Sequence, residues 1–497
     1  MNFDQQKTND MKNIRTIYNY FHGLYTLKTM GFFGLAMLTL CMSCEDLLEE
    51  EPKAIAAELF YNTEEELKTG LNAIYEPMSR WRAEFIVVND THTDWGYGRG
   101  SRANYNDFAG FNSGKTNVAG QMWDAFYLSI RNANIFIKNA EAAEGIGEAK
   151  YLRALAYFDM VRSWGGVPIR TDLNMGEPDT KKSTPSEVYA LIVADLLDAE
   201  ANLPPDPSDI GRPSKYAAKL LLADVYLTQG MYAEASAKAD EVIKSNKFSL
   251  VPTTSIEDFQ FNLYGPELLT SSEEIFYFKQ TRQDPHGNWL LFILNHPSTG
   301  LFNFGGAYAH YGDAVNPFFT SWDDNDLRKA LWDQIDFGLG TTTLVSKKYI
   351  DNAAVSLRGA GNDLPVYRYA EALLIYAEAA ARAGGNPTAV AMEALNKVHR
   401  RAFGVDPKTP SAVDFDIADY DANSFVDLVL QERAYEFIFE GKRWFDLKRT
   451  GTAAATILAA KGITIQEIAY LWPIPTYELD FNDLMGPEDQ NPGYGTE

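Results

Sequence analysis

A chain of 497 residues with 46% hydrophobic and 13% aromatic residues can bury a large core and still have rings for a surface. Its formal net charge of −24 makes nucleic acid and acidic membrane surfaces poor partners, because phosphate is held by basic patches, and an uncharged ligand fits better. The two cysteines, Cys41 and Cys44, lie together near the N-terminus, so no disulfide framework spans the fold, and neither a βαβ pattern nor a second pair supports a redox or zinc reading.

Lys28 precedes the apolar run Thr29–Leu40, which is shorter than the roughly 20 residues that span a bilayer and reads as the h-region of an export signal. Ser43 puts a small residue before Cys44, resembling the site at which bacterial lipoproteins are cleaved and acylated; bulky Leu40 makes Cys41 less suitable. Residues 1–43 are therefore read as a lipoprotein signal peptide, with Met11 as an alternative start, and an uncleaved anchor helix as the competing reading. Cleavage removes four basic and two acidic residues, taking −24 to −26. Glu45, Asp46 and Glu49 to Glu51 then form an acidic tether, and no later apolar run approaches spanning length, so residues 44–497 are expected to be soluble and held by lipid at Cys44.

Helices are expected over 117–143 and 147–164. Thr184-Pro185-Ser186-Glu187 combines a cap, a first-turn proline and a capping-box glutamate, and predicts a helix to about Ala201. Ser214 opens another, Gly230 breaks it, and Tyr232, Ala235, Ala239 and Val242 mark its partner; Ala223, Tyr226, Gly230, Tyr232 and Ala235 fall in the register of a tetratricopeptide repeat. Between about 250 and 350 the helical period disappears into Gly, Pro, Asn and aromatic residues, with β-like runs such as Glu274–Phe278. A second hairpin runs from Tyr369 to Gly384-Gly385, with Asn386-Pro387 as cap and first turn and Met392, Leu395 and Val398 beyond. The expected fold is mainly α, with tetratricopeptide-like hairpins supporting a large, irregular, loop-rich region with a few short strands.

Catalytic signatures are weak. Gly110 to Thr116 is one residue short of a P-loop, and no His-Glu-x-x-His or Gly-x-Ser-x-Gly occurs. Asp414, Asp416, Asp419 and Asp421 lack the glycine and distal glutamate of an EF-hand, so no metal and no cofactor is expected. Glu432, Glu436 and Glu440 recur at i,i+4 beside Arg433, Lys442, Arg443 and Arg449, which reads as a structural ion-pair network on one helical face.

Two aromatic stretches point instead to sugar, whose C–H faces pack on rings and whose hydroxyls pair with amides, carboxylates and guanidiniums. From the first come Asp94, Trp95, Tyr97, Arg99, Tyr105 and Asn106; from the second, Trp289, Tyr308, His310, Tyr311 and Trp322. Trp95, Tyr97 and Tyr311 lead this set. Arg80, Arg82, Arg99 and Arg102 raise an acidic sugar as a ligand, although local ion pairs account for them better.

Blocks along the chain resemble the SusD/RagB family of Bacteroidetes outer-membrane lipoproteins. They include Ser43-Cys44-Glu45-Asp46-Leu47-Leu48, Glu148 to Ala154 with Tyr157-Phe158-Asp159 and Gly165-Gly166-Val167-Pro168, and Gly211 to Ala218. Further on come Tyr367 to Glu371, Tyr376 to Ala379, Glu440 to Arg449, Leu471 to Pro475 and Asn491 to Tyr494. The resemblance implies one unit over 44–497, with an N-terminal segment of about 44–230 and a C-terminal one of about 275–497. It also implies a surface-exposed glycan-binding protein, not an enzyme, that caps a SusC-like TonB-dependent outer-membrane transporter. A helical-repeat scaffold for peptides and a surface glycan hydrolase rank behind it.

Overall fold

Thr63 opens the first helix. In a computed structural model, which describes residues 61–111 and 116–495, its hydroxyl accepts from Glu66 N at 3.2 Å while the Glu66 carboxylate accepts from Thr63 N at 3.0 Å. This capping box starts α1 (Glu64–Thr91), which runs through an internal proline. Pro77 has no N–H for the Ala73 carbonyl, and α2 (Thr116–Asn139) makes good the loss: Asn132 Nδ2 donates to Ala73 O at 2.7 Å and Ser129 Oγ to Ile74 O at 2.8 Å. The helix therefore continues.

β1 (Tyr97–Gly98) follows α1, and beyond α2 come α3 (Ala143–Trp164), α4 (Pro185–Asn202), α5 (Lys215–Thr228) and α6 (Tyr232–Lys244). Each of the six helices packs on the next. The 184–187 capping box is present, with Thr184 N donating to Glu187 at 2.8 Å, and Ser214 caps α5. The expected helices at 117–143 and 147–164 end and begin earlier, α2 stopping at Asn139 and α3 starting at Ala143. Gly230 takes φ +74° between α5 and α6, a left-handed turn that favours glycine.

The stretch after α6 holds β2 (Glu274–Phe278), the short α7 (Leu290–Leu294), β3 (His310–Asp313), β4 (Trp332–Gln334), β5 (Thr343–Ser346) and β6 (Leu364–Arg368). An antiparallel sheet has the order β1-β3-β5-β4, and β2 pairs with β6. Then α8 (Tyr369–Gly384) packs directly on α6, so the stack resumes across the insertion. Both predicted hairpins thus belong to one helical array. Both hairpins carry fully buried alanines, among them Ala217, Ala218, Ala223, Ala235 and Ala239 on one and Ala370, Ala377 and Ala381 on the other, small side chains that suit closely packed helices.

α8 packs against α9 (Ala389–Ala402) and α10 (Ala422–Glu436), followed by α11 (Arg443–Arg449) and α12 (Ala453–Lys461). The cap of α9 is Thr388, accepting from Ala391 N at 3.1 Å, and not Asn386: Gly385 turns left-handed at φ +73°, and the helix starts only after Thr388, which is extended.

The three glutamates form buried ion pairs, but the helical face does not hold. α10 ends at Glu436 and Glu440 lies in the turn beyond. Their cations come from other elements. Arg328 pairs with Glu432 at 2.7 Å and Glu436 at 2.8 Å; Arg368 reaches Glu273, Glu436 and Glu440; Arg401 reaches Glu273 and Glu436; Lys348 reaches Glu440 at 2.6 Å. Arg433, Lys442, Arg443 and Arg449 go to Asp446, Glu371, Asp94 and Glu378. The network joins the insertion (Arg328, Lys348) to the helices (Arg401, Glu436). Removing one member would leave an uncompensated buried charge, at a cost of about 3–5 kcal/mol.

Among the described residues, no helix is long and apolar enough to cross a membrane. Cys41, Cys44 and the 1–43 leader lie outside them, as do residues 112–115 of the glycine-rich segment.

Candidate functional site

β1 and β3 bring the two aromatic stretches together. Tyr97 pairs with Tyr311 and Gly98 with His310, and the alternation of side chains across a strand sends neighbours to opposite faces. Tyr311 is half-buried and stacks on Tyr97, with centroids 5.4 Å apart and planes 19° apart. His310 points inward and is 1% exposed; burial holds its imidazole down at about 3, so it is neutral at pH 7.

The turn after β1 is held by its own residues. A Cβ on Gly98 would lie 2.1 Å from the Arg102 carbonyl, which requires glycine, and Asn106 both accepts from Gly98 N at 2.7 Å and donates to Gly98 O at 2.9 Å. Arg99 is thereby carried over the second stretch. Its guanidinium donates to Ala307 O at 3.2 Å and lies 4.1 Å from the centre of the Tyr308 ring. Tyr308 takes φ +34°, a left-handed value rare for a bulky residue and held by local packing. Phe337 at 5.0 Å and His296 at 4.7 Å complete the surface around the Tyr308 ring, and Tyr311 lies 6.0 Å from Phe337.

Tyr97, Arg99, Tyr308 and Tyr311 of the candidate set are therefore one partly exposed platform. His296 and Phe337 were missed. Phe337 had a signal in the sequence, a ring in the turn Asp336-Phe337-Gly338-Leu339-Gly340, where an aromatic among glycines has little core to join.

Five other candidates are core residues. Trp95 is fully buried, edge-on to Phe439 at 5.1 Å and Trp332 at 5.7 Å. Asp94 is 4% exposed and grips Arg443 with both oxygens, at 2.7 and 3.1 Å. Tyr105 packs on His92 and Phe111, His310 faces Trp95 and Phe439, and Trp322 stacks on Tyr435 at 4.2 Å and donates to Asp326 at 2.8 Å. All five are at least nine-tenths buried, although Asp94 and Trp322 each border a cavity, and the amide of Asn106 serves Gly98.

Trp289 belongs to a different feature, an open groove of 610 Å³ between α1, the turn at 209–212, the end of β2 and the loop before α7. The Arg102 and Arg358 guanidiniums lie 5.3 and 4.8 Å from its ring centre. Of the N-terminal arginine cluster, Arg82 is bound to Asp159 at 2.9 Å and Arg102 to Glu84, while Arg80 has, among the described residues, Glu76 at 3.8 Å.

The aspartate loop serves the fold. Asp414 pairs with Arg400, Asp416 accepts from Ala418 N at 2.9 Å, and Asp421 caps α10. Among the described residues no cluster of three or more His, Cys, Asp or Glu is gathered as a metal site would require.

Two family models match in order along the chain: one described as starch-binding and associating with the outer membrane, over residues 46–227, and one described as the SusD family, over residues 320–494. The chain belongs to the SusD family. The SusD-like protein P38 of Formosa agariphila is 29% identical over 90% of this chain and 95% of its own length. The starch-binding protein SusD of Bacteroides thetaiotaomicron is 24% identical over 72% and 74%. The fold matches that of surface glycan-binding protein A from B. thetaiotaomicron, solved with laminarihexaose, at a TM-score of 0.69, with 21% identity and coverage of 85% and 98%. This SusD-family chain is mainly α, and the family model matched by its N-terminal segment is described as starch-binding and associating with the outer membrane.

Proposed function

We propose that the protein is a surface-exposed outer-membrane lipoprotein, anchored at Cys44, that binds oligo- or polysaccharide and passes it to a SusC-like TonB-dependent transporter. Residues 44–497 would act as one SusD-like unit, with segments of about 44–230 and 275–497. The observation that carries the binding half is the platform of Tyr97, Arg99, Tyr308 and Tyr311, stacked rings beside guanidinium donors at the rim of a loop-rich insertion. Trp289, in the separate groove beside α1, offers a further ring against which a sugar could pack.

Binding without hydrolysis fits the acids. Cleaving a glycosidic bond needs two carboxylates facing the substrate several ångströms apart. Glu432, Glu436 and Glu440 are instead buried and paired with arginine and lysine. Two or three stacked rings and a few hydrogen bonds support affinities from about millimolar to tens of micromolar, suited to a protein that must release its cargo.

Calorimetry against plant, host and microbial polysaccharides tests the site. Tyr308→Ala together with Tyr311→Ala is expected to weaken binding at least about tenfold while moving the thermal midpoint by only a few degrees. Unchanged affinity for the ligand found would rule the platform out. For the anchor, Cys44→Ala should release the protein from membranes and abolish surface labelling; a variant still bound and labelled would mean another tether.

A further inference from the structure

The groove beside Trp289 differs in charge from the rest of the chain. Its wall presents five cations, Lys68, Arg80, Arg212, Lys279 and Arg358, against two carboxylates, Glu76 and Asp209. Three more carboxylates lie behind it, Glu148 on Arg212 at 2.7 Å and Glu274 and Asp363 on Lys279 at 2.7 and 2.9 Å. Even with these counted the groove is locally neutral, in a chain of −24.

The cations are not equally satisfied. Lys68 is matched by Asp209 at 2.6 Å, Arg212 and Lys279 by the acids behind them, and Arg80, half exposed on α1, only loosely by Glu76 at 3.8 Å. Arg358 pairs with no carboxylate among the described residues; its guanidinium lies on Trp289. The indole orients that planar fork while leaving its N–H donors open to a ligand, a geometry suited to a planar or tetrahedral oxyanion.

We infer that the groove takes an acidic sugar, its carboxylate or sulfate ester held by Arg358 and Arg80, so that the ligand of this protein is an anionic glycan. The inference rests on the glycan-binding reading above and narrows it. Charge-assisted bonds from guanidinium to oxyanion are stronger than those from neutral donors, and at an exposed groove they weaken as salt screens them.

The test is an array of neutral, uronate-bearing and sulfated oligosaccharides of matched length, probed with the full chain and with Arg358→Gln and Arg80→Gln. Binding confined to the charged classes, weakened about tenfold by Arg358→Gln and by raising salt from about 0.05 M to about 0.5 M, is expected. The uronate and sulfate arms tell which oxyanion is read. Neutral glycans bound as well as charged ones, or charged ones bound equally by both variants, would overturn the inference and leave glycan binding standing. An array with no glycan bound would take down both. Thermal midpoints of the two variants confirm that each is folded.

Discussion

Trp95 and Tyr311 have similar surroundings in the sequence, a ring near glycine and polar residues, and opposite places in the molecule. Trp95 follows directly on the buried end of α1 and meets Phe318, Trp332 and Phe439; Tyr311 lies on the outward side of a strand whose next residue inward is His310. Trp95→Ala is therefore expected to cost about 3–5 kcal/mol in chemical denaturation, because it opens a cavity among close-packed rings, while the remaining folded protein keeps its glycan affinity. A loss of affinity with full stability would reverse the assignment. Burial was not legible at this position because a hydrophobic ring in a polar, glycine-rich stretch satisfies both readings equally.

The short strand β1 decides the site more than the long helices do. Only two residues pair with β3, yet they bring Tyr97 onto Tyr311, and the turn that follows carries Arg99 to Tyr308. Gly98→Ala is expected to disrupt this turn, since the added carbon would sit 2.1 Å from the Arg102 carbonyl; glycan affinity should fall although every platform side chain is retained. Intact affinity would show that the turn adapts. Helices were easier to read. The Thr184–Glu187 box and Gly230 are local signals, whereas α1 is interrupted by Pro77 and depends on Asn132 and Ser129 from α2 to carry the helix through.

At the scale of the whole molecule, the ion pairs around Glu436 join insertion to helical array. Burial alone would raise its carboxyl, but the Arg401, Arg368 and Arg328 guanidiniums outweigh burial and hold it well below the usual carboxylate range; Arg433 and Arg449 do the same for buried Asp446. Groups depressed in the folded state contribute stability that is full above their unfolded values, near 4, and is lost as pH falls below them. The thermal midpoint should therefore drop steeply below about pH 4, and Glu436→Gln should flatten that dependence while costing about 3–5 kcal/mol at neutral pH. An unchanged pH profile in the variant would remove Glu436 from this role.

Local signals along the chain establish the helical class, the two hairpins, the caps at Thr184 and Ser214, and the change of character between 250 and 350, because capping and periodicity act within a few residues; the cap of α9, two residues beyond the expected Asn386, is not among them. Its family blocks pointed to SusD, and the family models match over the same regions. Long-range packing settles which rings reach the surface, that α6 meets α8 across the insertion, and which cations answer Glu432, Glu436 and Glu440. It also separated local from net charge: −24 argues for an uncharged ligand, but Lys68 and Arg80 of α1, Arg212, Lys279 and Arg358 come from four separate parts of the chain to one groove. Such groupings depend on long-range packing, which no local spacing of residues encodes.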